Sequence, residues 1–83
     1  MSGKIYKVIA PLAGTFYESP SPEDPAFVEV GQKVKKGDVV CIVESMKVFT
    51  EIRAEQSGTV VSILVGDEDP VKKEQALIEI DVA

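Results

Sequence analysis

Apolar residues along this chain come in short blocks, "KVIA", "GTFY", "VVCIV", "VFTEI", "GTVVSILV" and "ALIEIDV", each set off by glycine, proline or charged residues. Blocks of this length, rich in β-branched side chains and bounded by turn formers, read as strands. Thirteen valines and seven isoleucines supply most of them. The pattern predicts strands over residues 5–10, 14–17, 27–30, 39–44, 48–53, 58–65 and 77–82. The last ends in alternation, with Ile78, Ile80 and Val82 separated by Glu79 and Asp81. "VKKEQALIEI" has helical propensity, but Pro70 ahead of it and its match to an upstream segment favour a turn followed by a strand.

That match is part of an internal repeat. "VIAPLAGTF" aligns with "IRAEQSGTV" at an offset of 44, bringing Ala10, Gly14 and Thr15 onto Ala54, Gly58 and Thr59. Val30 and Gly31 align with Val65 and Gly66 at an offset of 35, and "VKKGDVVCIV" aligns with "VKKEQALIEI" at 37. On this reading the first half carries nine extra residues between Thr15 and Val30, and the second carries two around "DEDP". Each copy is too small to bury a face alone, so two copies are expected to pack as a flattened all-β barrel, or barrel-sandwich hybrid, of two antiparallel sheets related by an approximate two-fold. The junction falls at residues 45–47 and places Lys47 on a linking hairpin that has no counterpart in the first copy.

Composition narrows the class. Eighty-three residues, 45% of them apolar, make one domain spanning 1–83 that buries roughly 60% of its unfolded surface. The 28% of charged residues interrupt every apolar run well short of a membrane span. A net charge of −5 argues against nucleic-acid binding, which needs a basic face. Cys41, the single cysteine, lies within "VVCIV" and reads as a small core residue. "MSGKIYKVIA" lacks the apolar stretch of an export signal, so a reducing cytoplasm is the expected location.

Little catalytic chemistry is on offer. Histidine is absent, which removes imidazole acid–base and triad chemistry. "GQKVKKGD" lacks the Gly-Lys-Ser/Thr ending of a phosphate loop and reads as a turn whose lysines flank an inward Val34. Asp67, Glu68 and Asp69 form an acidic run without the ligand spacing of a calcium loop, so no metal site is expected. A Ser45–Lys47 dyad at a hairpin tip would have neither the burial nor the cationic neighbour that activates a nucleophile. Met46 is more informative, because an apolar side chain at a tip suggests a surface that a partner covers.

"ESMKV" resembles the attachment motif of biotinyl domains, usually Glu-Ala-Met-Lys-Met, in which the lysine is joined to biotin through an amide. The similarity covers nearly the whole chain, and "GTFYESPSPEDPAFVEVGQKVKKGDVVCIVESMKV" resembles the carboxyl carrier proteins of bacterial acetyl-CoA carboxylases almost block for block. In that family the surplus loop, here "YESPSPEDPA" at about 17–26, is called the thumb; lipoyl domains share the fold but lack it. The resemblance implies biotin on Lys47, with Met46 before it, and Ser19 of the thumb close to the biotin ring. Ser45 stands where Ala is usual and Val48 where a second Met is usual; lipoyl domains typically have Asp before the lysine, where this chain has Met46.

The implied function is a non-catalytic carrier shuttling a carboxyl group between a biotin carboxylase subunit and a carboxyltransferase subunit, loaded by a biotin protein ligase, with no nucleic-acid or membrane partner. A biotinyl-lysine arm of about ten bonds would reach on the order of 15 Å. Two rivals are a lipoyl carrier of a 2-oxoacid dehydrogenase and an unmodified interaction domain of the same fold.

Overall fold

A computed structural model of the chain describes residues 4–82. Eight strands follow in order: β1 (Ile5–Ile9), β2 (Gly14–Tyr17), β3 (Lys33–Val34), β4 (Val39–Ser45), β5 (Val48–Arg53), β6 (Gly58–Ile63), β7 (Pro70–Val71) and β8 (Ala76–Asp81). They form two antiparallel four-stranded sheets, ordered β1-β8-β6-β3 and β5-β4-β2-β7. Replacing each strand of one half by its repeat partner (β1 by β5, β2 by β6, β3 by β7, β4 by β8) converts one sheet into the other. Each half therefore gives two strands to each sheet, and neither half closes a sheet alone. No helix among the described residues is long and apolar enough to cross a membrane.

The core repeats the same symmetry. Val8, Ala10, Phe16, Val34, Val40, Cys41 and Val43 are buried, and so are their repeat partners Ile52, Ala54, Val60, Val71, Leu77, Ile78 and Ile80. Val40 and Leu77 occupy matching bulges, at the register shifts opposite β5 and β1, and the extra residue turns each side chain inward. Exposed Lys33 and Lys35 flank buried Val34, as the sequence predicts.

Two expectations change. Residues 27–30 are not a strand: Phe27 N–H donates to Glu18 O at 2.8 Å, closing the 18–27 loop, and no ladder follows. Val28 nevertheless enters the core while Val30 is 63% exposed. Conversely, β3 and β7 were not expected, because two residues are too few to show a period.

The repeat alignment through this region also shifts. Gly31 N–H donates to Val60 O (2.7 Å) and Val60 N–H to Gln32 O (2.9 Å); Glu68 N–H donates to Phe16 O (2.7 Å) and Phe16 N–H to Asp69 O (2.9 Å). Gly31 is thus equivalent to Glu68 rather than Gly66, and both have positive φ, 94° and 69°. The offset passes directly from 44 to 37, so the first half carries seven extra residues instead of nine, and the second half has no insertion at "DEDP". Identity at Val-Gly was a coincidence. Turn geometry places Gly31 on Glu68, and Val28 on Val65, which packs against the core.

Burial of Cys41 pushes its thiol up to about 12. Since the thiolate is the reactive form, alkylation by iodoacetamide at pH 8 should be negligible in the folded protein and complete in guanidinium. Labelling of the native state on the timescale of a free thiol would show that the β4 core opens locally.

Candidate functional site

Strands β4 and β5 pair in continuous register up to Ser45↔Val48, leaving only Met46 and Lys47 to turn the chain. A two-residue hairpin matches the right-handed twist of its strands when both central residues have positive φ, and Asn-Gly is the usual choice. Met46 and Lys47 adopt φ of 53° and 65° instead. The left-handed region costs an L-residue with a Cβ roughly 1–2 kcal/mol. The tip is therefore strained, and its side chains are carried outward, with Met46 93% exposed. Met46→Asn should stabilise the domain by about 0.5–1 kcal/mol in urea unfolding, because Asn tolerates this conformation. A loss of stability would mean that Met46 makes contacts in solution that outweigh its strain.

Below the tip, strand alternation aligns four side chains on the outer face of the β5-β4-β2-β7 sheet. Tyr17 pairs with Ile42, and Glu44 with Phe49. The Tyr17 hydroxyl donates to Glu44 Oε1 at 3.0 Å, and the Tyr17 and Phe49 rings lie 6.1 Å apart at 41°. The phenol is pushed above its ordinary range, first by the hydrogen bond to Glu44, then by desolvation and by the negative charges of Glu44, Glu68 and Asp67.

The 18–27 loop stands beside this face and is held by its own hydrogen bonds. Ser19 Oγ donates to Ser21 O (2.8 Å), Ser21 Oγ to Asp24 Oδ2 (2.9 Å), and Asp24 N–H to Ser21 O (3.1 Å). Its base is tied across the molecule, where Glu18 N–H donates to Asp67 Oδ1 at 3.0 Å. Pro20, Pro22 and Pro25 fix φ at three further points. Between loop and sheet lies a cleft of about 250 Å³, lined by Tyr17, Ser19, Pro20, Ser21, Pro22, Ile42, Phe49, Asp67 and Glu68.

Of the residues singled out from sequence, Met46 and Lys47 form the tip, Ser45 and Val48 are its paired flanks, and Ser19 lines the cleft. The sequence reading missed Tyr17, Ile42, Glu44, Phe49, Asp67 and Glu68. Alternation would have put 42 and 44 on one face, and exposed Phe49, an aromatic two residues past the tip lysine, was a further signal. The approach of residue 67 to residue 18 had no local signature.

Comparison with known proteins bears on what this arrangement serves. The family model described as biotin-requiring enzyme, which covers biotin and lipoyl domains, matches residues 6–80. The chain belongs to this biotin/lipoyl family. Within the family, it is 49% identical over 81 residues to the biotin carboxyl carrier protein of acetyl-CoA carboxylase of Haemophilus influenzae, covering 98% of this chain and 51% of that protein. The Pseudomonas aeruginosa protein of the same description is 55% identical over 73 residues, 88% of this chain and 47% of the relative. A chloroplastic one from Glycine max is 55% identical over 71 residues, 86% of this chain and 27% of the relative. The family domain here thus spans about half, or less, of these relatives. Among solved structures, the urea carboxylase of Kluyveromyces lactis superposes over 96% of this chain and 6% of its own, with a TM-score of 0.78 and 28% identity.

Proposed function

We propose that Lys47 carries biotin as an amide on its ε-amine, and that the domain is the carrier of a biotin-dependent carboxylase of the acetyl-CoA type. The observation that carries this reading is the tip itself: one lysine, within Glu-Ser-Met-Lys, projected on a strained two-residue turn beside a preformed cleft. Amide formation needs an amine that a ligase can surround, and no packing around the tip obstructs it. Met46 and Val48, exposed at 93% and 62%, give a biotin protein ligase an apolar surface on both sides of the lysine.

The cleft suits the ring of the arm. Tyr17, Ile42, Phe49, Pro20 and Pro22 offer apolar walls, and the hydroxyl oxygens of Ser19 and Ser21 remain able to accept hydrogen bonds. When bound, biotin supplies a ring nitrogen that takes up and gives off a carboxyl group. The chain's own contribution is to mount the arm, park its ring and keep both on a rigid β scaffold. Tethering raises the local concentration of the carried group at each partner site by reach rather than affinity. Catalysis then belongs to the biotin carboxylase and carboxyltransferase subunits, in a reducing cytoplasm that an unpaired Cys41 suits.

Met46 before the lysine and the long 18–27 loop favour biotin over lipoate. The intact mass of the protein isolated from its cells tests the reading. A biotinyl increment mapped to Lys47 supports it; a lipoyl increment, or no increment in cells that biotinylate other proteins, overturns it.

A further inference from the structure

We infer that the cleft beneath the 18–27 loop is charge-selective, holding the ring of the arm while the ring is uncharged and releasing it once it bears the anionic carboxyl group. This deepens the proposed function and rests on biotin being attached at Lys47. The cleft lies within reach: Phe49 is two residues beyond Lys47 and Ile42 three before Ser45, so at about 3.3 Å per strand residue the walls begin within roughly 10 Å of the tip.

The walls are apolar, but the charges that line the cleft have one sign. Among the described residues, Asp67 and Glu68 line it and no lysine or arginine does. Glu44 adds a third carboxylate behind Tyr17. Two of these carboxylates are held in place, Asp67 by Glu18 N–H and Glu44 by the Tyr17 hydroxyl. The field they make is felt at the cleft wall, since the charges of Glu44, Glu68 and Asp67 all act to keep the Tyr17 phenol protonated. An uncharged ureido ring meets only modest cost there and finds hydroxyl acceptors. An anionic ring in the cleft meets the like charges of Asp67 and Glu68 that line it, with Glu44 behind Tyr17, and even through water and salt this lowers its occupancy on the order of tenfold.

Loading replaces one ring N–H with N–carboxylate: the partner carboxylase transfers the terminal phosphoryl group of ATP to bicarbonate, the ring nitrogen bonds to the carboxyl carbon as its C–O bond to phosphate breaks, and ADP, phosphate and the ring proton leave to solvent. The parked arm would therefore be the empty one. The loaded arm would be free to find the second site without any signal beyond its own charge.

The test uses the ¹⁵N-labelled, biotinylated chain. Amide shifts of Ser19, Ser21 and Phe49 are compared among K47R, the biotinylated protein, and the biotinylated protein kept loaded by catalytic biotin carboxylase with ATP and bicarbonate. The expected result is that biotinylation shifts these amides away from K47R values and loading returns them most of the way. In D67N/E68Q, whose residue 67 keeps an oxygen for the Glu18 N–H, the loaded arm should stay docked. Retention of the docked shifts by the loaded wild type overturns the inference, as does equal release in D67N/E68Q. Cleft amides that are the same with and without biotin overturn it while leaving attachment at Lys47 intact. Absence of biotin from Lys47 overturns both.

Discussion

Lys47→Arg is expected to abolish biotin attachment completely while changing stability by less than about 0.5 kcal/mol. Exposure does not single out Lys47, because Lys4, Lys7, Lys33, Lys35, Lys36, Lys72 and Lys73 are all exposed as well. Backbone shape does. Lys36 and Lys73 also lie in turns, but there the positive φ falls on the next residue, Gly37 or Glu74, and each is preceded by another lysine. Only Lys47 itself takes the left-handed conformation at the tip of a two-residue hairpin, between exposed Met46 and Val48. Arginine retains the charge and the length but offers no amine for the amide. Intact mass and peptide mapping after expression with an active biotin ligase give the answer. Biotin on Lys36 or Lys73 at comparable yield in the variant would show that the ligase reads any exposed turn lysine, and the assignment would fail.

The largest expected loss of stability comes from two repeat-related glycines, one in each sheet. Gly58→Ala and Gly14→Ala should each destabilise the domain by about 3 kcal/mol, toward the upper end of what overpacking costs. A Cβ on Gly14 would lie well inside van der Waals contact of the Glu44 carbonyl oxygen and 2.9 Å from Val43 Cγ1. On Gly58 it would meet the Asp81 carbonyl oxygen in the same way and lie 2.7 Å from Ile80 Cγ2. These obstacles are backbone of the neighbouring strand, held by a ladder on its far side, so relief requires β2 to move off β4 or β6 off β8. For a domain of this size each kcal/mol corresponds to about 4–8 °C, so the midpoint should fall by more than about 10 °C. Gly66→Ala is the control. Its Cβ would meet only the Asp69 side chain, at 3.2 Å, and Gly66 has no positive φ, so a change below about 1 kcal/mol is expected. Thermal melts of the three variants decide it, and equal melting of Gly58→Ala and Gly66→Ala would mean that the sheets yield more easily than their register implies.

Those two glycines also explain why the repeat could be read at all. Gly14-Thr15 and Gly58-Thr59 match because both halves face the same steric demand, a strand pressed against a neighbouring carbonyl. The strands β1, β2, β4, β5, β6 and β8 were legible for a local reason: their β-branched apolar runs and the turn residues beside them are properties of a few consecutive side chains. Lys47 was legible for the same reason, because two strand-forming runs, 39–44 and 48–53, separated by three residues leave nowhere for it except a tip. The sequence by itself thus determined the strand class, the duplication and the place of Lys47 at a hairpin tip.

Tertiary structure decided what depends on residues distant in the chain. It decided that each half is split between both sheets, that two-residue pairings complete each sheet at β3 and β7, and that Gly31 corresponds to Glu68 despite the Val-Gly match with Gly66. It also decided that the 18–27 loop is anchored to residue 67 and encloses a cleft against Tyr17, Ile42 and Phe49. Period and propensity describe which way a side chain points relative to its own strand. They carry no information about which other strand lies opposite, and a contact spanning 49 residues is fixed only when the whole core has closed.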